Sequence, residues 1–281
     1  MKRIFAFFVL LICGLINAFS DVAYNIRTTG YYELTDRNTT YTGTAMGFTD
    51  QGKVTMYQRN NREWIGVNEG IYNISNENIV SFIDILWDNN RQDKYLFLFY
   101  GDNSIIMLYD NDSEPIFIGF WTPDANSDER FYMSDPFAEA NITATSSLRE
   151  GNIVYSPNIS NLSIGRPWVE GVDGYGIGEK LILHDLSPGV SGLYISIGFV
   201  SFNRPHLYAF NSRPSRIRVT YNNMSLIFDL DDVPHYQFFH LPEAATWETL
   251  TVEIEILEVY SGTRWDDTCI NSILYYQSSM Q

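Results

Sequence analysis

Short runs of strand-forming residues begin about every ten to sixteen residues along the first half of this chain, several of them divided by clusters of turn-forming residues, a pattern that suits short antiparallel strands and little else. Asp50-Gln-Gly52, Asp88-Asn-Asn90, Gly101-Asp-Asn103 and Asp110-Asn-Asp112 are such clusters. The segments around them are Lys53 to Tyr57, Trp64 to Val67, Ile79 to Trp87, Tyr95 to Tyr100, Ile105 to Tyr109 and Pro115 to Trp121. They are rich in Tyr, Phe, Ile and Val, which fit a pleated, half-buried surface. Hairpin-length connections predict a meander, because parallel strands need a helix-length crossover. No stretch shows a helical apolar stripe bounded by caps. An antiparallel β-meander domain is therefore expected over residues 21–121, and a meander of this kind can close as a small barrel.

From Thr122-Pro-Asp-Ala-Asn-Ser-Asp-Glu129 to residue 140 the alternation gives way to polar and acidic residues, as in a linker between domains. Strands resume at Lys180 to His184, Gly192 to Val200, Arg216 to Tyr221, Met224 to Leu230, Tyr236 to Leu241 and Thr249 to Val259. Arg216-Ile-Arg-Val-Thr-Tyr221 and Thr251-Val-Glu-Ile-Glu-Ile-Leu257 alternate strictly, giving one wet and one buried face. A β-sandwich is expected over residues 141–281, so the whole chain reads as all-β.

The N-terminus bounds where such a protein works. Met1-Lys2-Arg3 is basic, Ile4 to Leu15 is apolar, and Ala18-Phe19-Ser20 offers small residues to a signal peptidase. This is the pattern of a cleavable signal peptide over residues 1–20, and its apolar core is short for a bilayer span. Bulky Ile12 before Cys13 argues against lipoprotein processing. No later segment approaches the roughly 18 apolar residues of a membrane helix. A secreted, periplasmic or cell-surface location follows, with no integral membrane segment after processing. Cleavage would remove two basic residues and no acidic one, moving the net charge from −16 to −18. Nucleic acid is excluded as a partner, since phosphate recognition needs Lys and Arg clusters. Only Cys269 would survive processing, so no internal disulfide can form and burial must hold the fold. Disulfide-poor export is more typical of bacteria than of animal secretion.

Four motifs in order carry a resemblance. Ile142-Thr-Ala-Thr-Ser-Ser-Leu148 is followed by Tyr155-Ser-Pro157 and Asn161-Leu162. Next come Trp168-Val-Glu-Gly-Val-Asp-Gly-Tyr-Gly-Ile-Gly-Glu179 and Asn211-Ser-Arg-Pro-Ser-Arg-Ile217. Leu257-Glu-Val-Tyr-Ser-Gly262 with Asp266-Asp-Thr268 completes the set. Together they resemble the discoidin-like, or coagulation-factor-five/eight type C, domain that accompanies NAD glycohydrolase toxins, over about residues 141–276. The resemblance implies a galactose-binding-like jelly-roll sandwich with ligand loops at one rim, associated with glycan binding and toxin translocation. Two departures remove carboxylates that the related domains often give to calcium. Ser163-Ile-Gly-Arg-Pro167 is short and carries no acid, and Ser272 stands where a Glu is common. No metal is assigned, because calcium needs six to eight oxygens with carboxylates among them. No cofactor is implied. More weakly, Trp64 to Ile74 with Ile79-Val80 resembles lipocalin-like modules, without the Gly-x-Trp that should open one.

Catalytic signals are sparse. His184, His206, His235 and His240 show no metal-ligand spacing, and a histidine on a surface or edge strand is the commoner case. There is no Gly-x-Ser-x-Gly elbow, and Cys269 heads into an apolar strand that would raise its pKa. Gly171, Gly174, Gly176 and Gly178 precede a strand rather than a helix, so they read as a tight turn and not a phosphate cradle. Binding has more support: Trp168, Tyr208 and Trp265 lie in or beside expected loops with Glu170, Asn211, Arg213, Asp266 and Asp267 nearby in sequence. Aromatic faces suit the C–H side of a sugar, and acids, amides and a guanidinium suit its hydroxyls. Each also has a structural reading, with Trp168 as a core plug and Asp267 as a partner of Arg213. The expected function is an exported, non-catalytic glycan-binding protein at a cell envelope or host surface, bound to a glycan or glycoprotein. Two alternatives are an assembly protein whose sandwich loops grip another envelope protein, and a glycoside-acting enzyme using carboxylates.

Overall fold

Each predicted strand overlaps an observed one in the computed structural model, which describes residues 25–35, 41–61, 63–100, 103–123, 140–159, 161–242 and 248–277. The expected signal peptide, and the expected linker apart from its ends, lie outside those residues. In the first half β1 (Tyr31–Thr35), β2 (Tyr41–Phe48), β3 (Lys53–Asn60) and β4 (Glu63–Glu77) are followed by β5 (Val80–Trp87), β6 (Gln92–Tyr100), β7 (Ile105–Tyr109) and β8 (Phe117–Thr122). Each pairs antiparallel with the next and β1 pairs with β8, so the meander closes into an eight-stranded barrel with no free edge. Tyr32, Phe48, Val54, Ile85, Trp87, Phe97, Phe99 and Ile106, drawn from six of the eight strands, are buried together and fill the barrel, with Tyr72 of β4 and Phe117 and Trp121 of β8 packed against them.

β6 is buried from Tyr95 to Tyr100 and β7 throughout, and pleat geometry explains why. Successive side chains point to opposite faces of a strand. Phe97, Phe99, Ile106 and Leu108 enter the barrel core, whereas Leu96, Leu98, Tyr100, Ile105, Met107 and Tyr109 form a second cluster with residues of the C-terminal half.

That half is a β-sandwich. Its strands are β9 (Asn141–Ala144), β10 (Arg149–Glu150), β11 (Ile153–Val154), β12 (Trp168–Val169), β13 (Lys180–Leu186), β14 (Val190–Ile197), β15 (Arg213–Tyr221), β16 (Met224–Asp229), β17 (Gln237–His240), β18 (Leu250–Tyr260) and β19 (Cys269–Gln277), with one short helix, α1 (His206–Phe210). A four-stranded sheet, β12-β19-β14-β17, packs on a five-stranded sheet, β16-β15-β18-β13-β9, and β10 pairs with β11 as a hairpin. Leu250, Val252, Ile254 and Ile256 alternate inward on β18 as the sequence predicts. The outward positions carry cross-strand pairs, Arg218 with Glu255 at 2.6 Å and Lys180 with Glu253 at 2.7 Å. Solvent screens pairs of this kind, so they add little to stability.

The barrel docks on the outer face of the four-stranded sheet. Tyr100 stacks on Tyr194 with ring centroids 3.8 Å apart, and Leu274 joins the same cluster. Hydrogen bonds cross the seam as well: the Tyr109 hydroxyl donates to the Leu162 carbonyl at 2.8 Å, and the Tyr236 N–H donates to the Phe99 carbonyl at 2.9 Å. Nδ1 of His235 accepts from the Phe99 N–H at 3.3 Å, and its ring stacks on Phe97. The expectation of a surface or edge-strand histidine is corrected at this position, since packing of the barrel buries it.

His235 links this seam to pH. Burial pushes its pKa down to about 3, whereas an unfolded histidine takes its proton near 6.5. Between those values the unfolded chain binds a proton that the folded chain refuses. Stability is therefore full above about pH 6.5 and falls as the pH drops toward 3. We expect the loss for the parent chain to be steeper than for His235→Asn by up to about 1.4 kcal/mol per pH unit, read from urea melts between neutral pH and pH 5. Equal slopes would show that His235 is not held neutral by the fold.

Candidate functional site

One end of the sandwich is built from two loops, residues 170–178 and 261–268, clipped together by Glu170. Its carboxylate accepts from the Val172 N–H at 2.8 Å and the Thr268 N–H at 3.2 Å, while its own N–H donates to the Thr268 carbonyl. Burial raises its pKa, partly offset by those two hydrogen bonds. The Thr268 hydroxyl donates in turn to the Tyr175 carbonyl at 2.8 Å. Gly176 sits where a Cβ would come 2.4 Å from the Glu170 side chain, with φ +62. Both facts require glycine here. Alanine at position 176 is expected to cost about 1–3 kcal/mol by strain and by displacing the clip, measurable as a lowered denaturation midpoint. The glycine loop is thus the tight turn into β13 that its sequence suggests.

The 261–268 loop is stapled to the end of α1. The Thr263, Arg264 and Trp265 N–H groups donate to the Ala209 and Phe210 carbonyls, and the Gly262 N–H donates to the Ser212 hydroxyl at 2.9 Å. This leaves the Trp265 side chain 36% exposed, edge-on to Phe210 at 5.6 Å with the Arg264 guanidinium 4.7 Å from its ring centroid. Asp266 beside it is exposed and Asp267 half-buried. Burial, followed by the charges of Glu150 and Asp266, raises the Asp267 pKa.

The eight candidate residues therefore divide. Trp265, Asp266 and Asp267 stand together at the rim. Trp168 does not: it lies fully buried in the sandwich core, its Nε1 donating to the Ser146 carbonyl at 2.9 Å. Tyr208 is equally buried against the barrel, with its hydroxyl on Asp232. Asn211 ends α1 and donates from its side chain to the Leu207 carbonyl at 2.9 Å. Arg213 is buried and grips Asp232 with both Nε and Nη2, not Asp267. Its ring neighbours are Tyr208 and Tyr260. Glu170 is reached only as the clip. These five positions are corrected from ligand contacts to framework, because each is covered by packing or consumed by an internal partner. Cys269 is fully buried, which pushes its thiol well above the usual range. Among the described residues no group of three or more His, Cys, Asp and Glu is placed to hold a metal ion. Ser272 spends its hydroxyl on the Asn161 carbonyl at 2.7 Å.

Sequence reasoning missed a second feature beside this rim. Residues 152–156, Asn158, residues 165–167 and Arg204 enclose a cleft of about 610 Å³. Its Tyr155 wall leans on Phe199 and donates to Glu150 at 3.2 Å. Nothing local in the sequence joins Arg166 to Arg204, which lie in separate loops. Nor could it show that Asp112, in the turn after β7, crosses from the barrel to accept from the Ser201 hydroxyl and the Phe202 N–H.

Taken together, the fold defines an all-β protein in which a sandwich with a loop rim is braced by a small filled barrel. Residues 131–276 match the family model described as the NAD glycohydrolase translocation F5/8 type C domain. The chain belongs to this family, whose domain fits a carbohydrate-binding or translocation-related role. None of the curated proteins matches the chain. Two cryo-EM structures of the arabinofuranosyltransferase AftD from Mycobacteria are 17% and 16% identical to it, each with a TM-score of 0.34. Those matches cover 50% and 51% of this chain and 11% of the transferase. A two-domain esterase active on acetylated mannans, crystallised with mannopentaose, is 9% identical over 52% of this chain and 36% of its own, with a TM-score of 0.29. Likenesses of this size carry no argument about fold or function. Among the described residues no helix is long and apolar enough to cross a membrane.

Proposed function

We propose that this protein is an exported, non-catalytic carbohydrate-binding protein, acting at a cell envelope or host surface, and that the rim holds the glycan. The observation that carries this reading is the exposed Trp265 ring set beside Asp266 and Asp267 on a loop fixed by backbone hydrogen bonds. An aromatic face receives the C–H side of a sugar, and carboxylate oxygens accept from its hydroxyls. A rigid loop loses little entropy on binding. Family membership supports the same role. A glycan carried on an envelope or host glycoprotein is the partner this site suits. The buried Cys269 thiol, pushed well above its usual range, supports recognition rather than nucleophilic chemistry at this rim.

Trp265→Ala and Asp266→Ala are surface changes, expected to alter stability by no more than about 1 kcal/mol. Saturation-transfer NMR with a bound oligosaccharide should show the ligand's ring protons enhanced in the parent chain and silent in Trp265→Ala. Unchanged enhancement in that variant would remove the rim from the account.

A further inference from the structure

The cleft beside the rim has a composition at odds with the rest of the molecule. The chain holds 34 acidic residues against 18 basic ones, yet the cleft is lined by two arginines and no carboxylate. Arg166 and Arg204 are both exposed, and neither has a carboxylate within ion-pair distance among the described residues. That contrasts with Arg213, Arg216 and Arg218, each of which is paired. The lining also offers apolar surface: Ile153 and Val154 are 57% and 41% exposed, large values for aliphatic side chains, and half-buried Tyr155 follows them, with Asn152, Ser156 and Asn158 as polar neighbours. A volume of about 610 Å³ falls inside the range of about 300–1,000 Å³ typical of small-molecule sites.

Arg204 is also held in place. The Arg204 guanidinium lies over the Phe199 ring at 5.5 Å, and its backbone N–H donates to the Ser201 hydroxyl at 2.9 Å. Ser201 donates to Asp112 Oδ2 at 2.9 Å, while Oδ1 of the same carboxylate accepts from the Phe202 and Asn203 N–H groups at 2.6 and 3.3 Å. Gly165, one residue before Arg166, has φ +83 and would place a Cβ 2.6 Å from Asp112. A single barrel side chain thus anchors the segment before Arg204 by hydrogen bonds and packs closely on the backbone before Arg166. Guanidinium forks match planar carboxylates and other oxyanions, and their weaker hydration makes the exchange with water favourable.

We infer that this cleft binds an acidic saccharide, its anionic group between Arg166 and Arg204 and its ring against Ile153, Val154 and Tyr155. The inference rests on the carbohydrate-binding reading and assigns it a charge class and a second subsite. A carboxylate sugar and a sulfated sugar share the chemistry, so the probes separate them. Full-length mature protein would be titrated calorimetrically with oligogalacturonate, sulfated dextran oligomers and neutral dextran oligomers, using the parent chain, Arg166→Ala/Arg204→Ala and Trp265→Ala. The expected result is binding of at least one acidic probe, at least tenfold weaker neutral binding, and a loss of at least tenfold in the double arginine variant. The oligogalacturonate and sulfated-dextran arms show which oxyanion is preferred. Arg166→Glu, a surface change that reverses the charge, should abolish acidic binding if the alanine variant proves unstable. Acidic binding unchanged in the arginine variants, or neutral probes bound as tightly as acidic ones, would overturn the cleft. If neutral glycans bind and depend on Trp265 alone, the cleft falls and the rim stands. Silence toward every probe removes both.

Discussion

Trp168→Ala is expected to lower stability by about 3–5 kcal/mol, the largest single effect in the sandwich. The indole is fully buried on β12 among Leu181, Ile195, Ile254 and Ile270, and its removal leaves both a cavity and an unpaired Ser146 carbonyl. Trp168→Phe keeps most of the buried area but not the hydrogen bond, so about 1–2 kcal/mol is expected. Because the barrel and the sheet share a core through Tyr100, Tyr194 and Leu274, both variants should shift one common denaturation transition. If Trp168→Ala left stability intact while weakening glycan binding, the core placement would be wrong and the ligand role right.

Arg213→Ala is the second large effect, about 3 kcal/mol. Its guanidinium is buried, and although burial opposes its charge, the hydrogen bonds and charge of Asp232 outweigh that and raise its pKa. Breaking a buried pair from one side typically costs about 3–5 kcal/mol, because the other charge is left uncompensated. Asp232 keeps 30% of its side-chain surface in water, which places the expectation at the low end. Asp232→Asn should cost less than Arg213→Ala, since one hydrogen bond can persist, and the double variant should cost less than the sum of the singles. Additive effects in that cycle would show the two side chains to be uncoupled. The same argument disqualifies Arg213 as a probe of glycan binding, because its loss acts through the fold.

Short strand-forming runs divided by turn clusters made the meander legible, and strict alternation on β15 and β18 did the same for the sandwich. What the sequence could not show was closure. β1 and β2, in a Thr- and Gly-containing stretch without a strong apolar run, complete the barrel only by pairing, β1 with β8 across more than eighty residues. The uniformly apolar Leu96-Phe-Leu-Phe-Tyr100 and Ile105 to Tyr109 held a readable signal, since a strand buried on both faces has no alternation to show. Its meaning, a sheet docked outside the barrel, needs the partner surface to be seen. Site residues were legible in proportion to how local their surroundings are. Trp265, Asp266 and Asp267 lie on one loop and stay together, whereas Arg213 finds Asp232 because β15 runs beside the segment after β16. Aromatic residues at loop edges point into a core as readily as outward, which is why Trp168 and Tyr208 were misplaced among ligand contacts.

The most direct test of the central claim is a glycan-array screen of the purified protein beside a Trp265→Ala, Asp266→Ala variant with an unchanged denaturation midpoint. Selective binding by the parent chain that disappears in the folded variant is the result expected of a rim that grips sugar. Silence across a broad array, or binding that the variant retains in full, would contradict it.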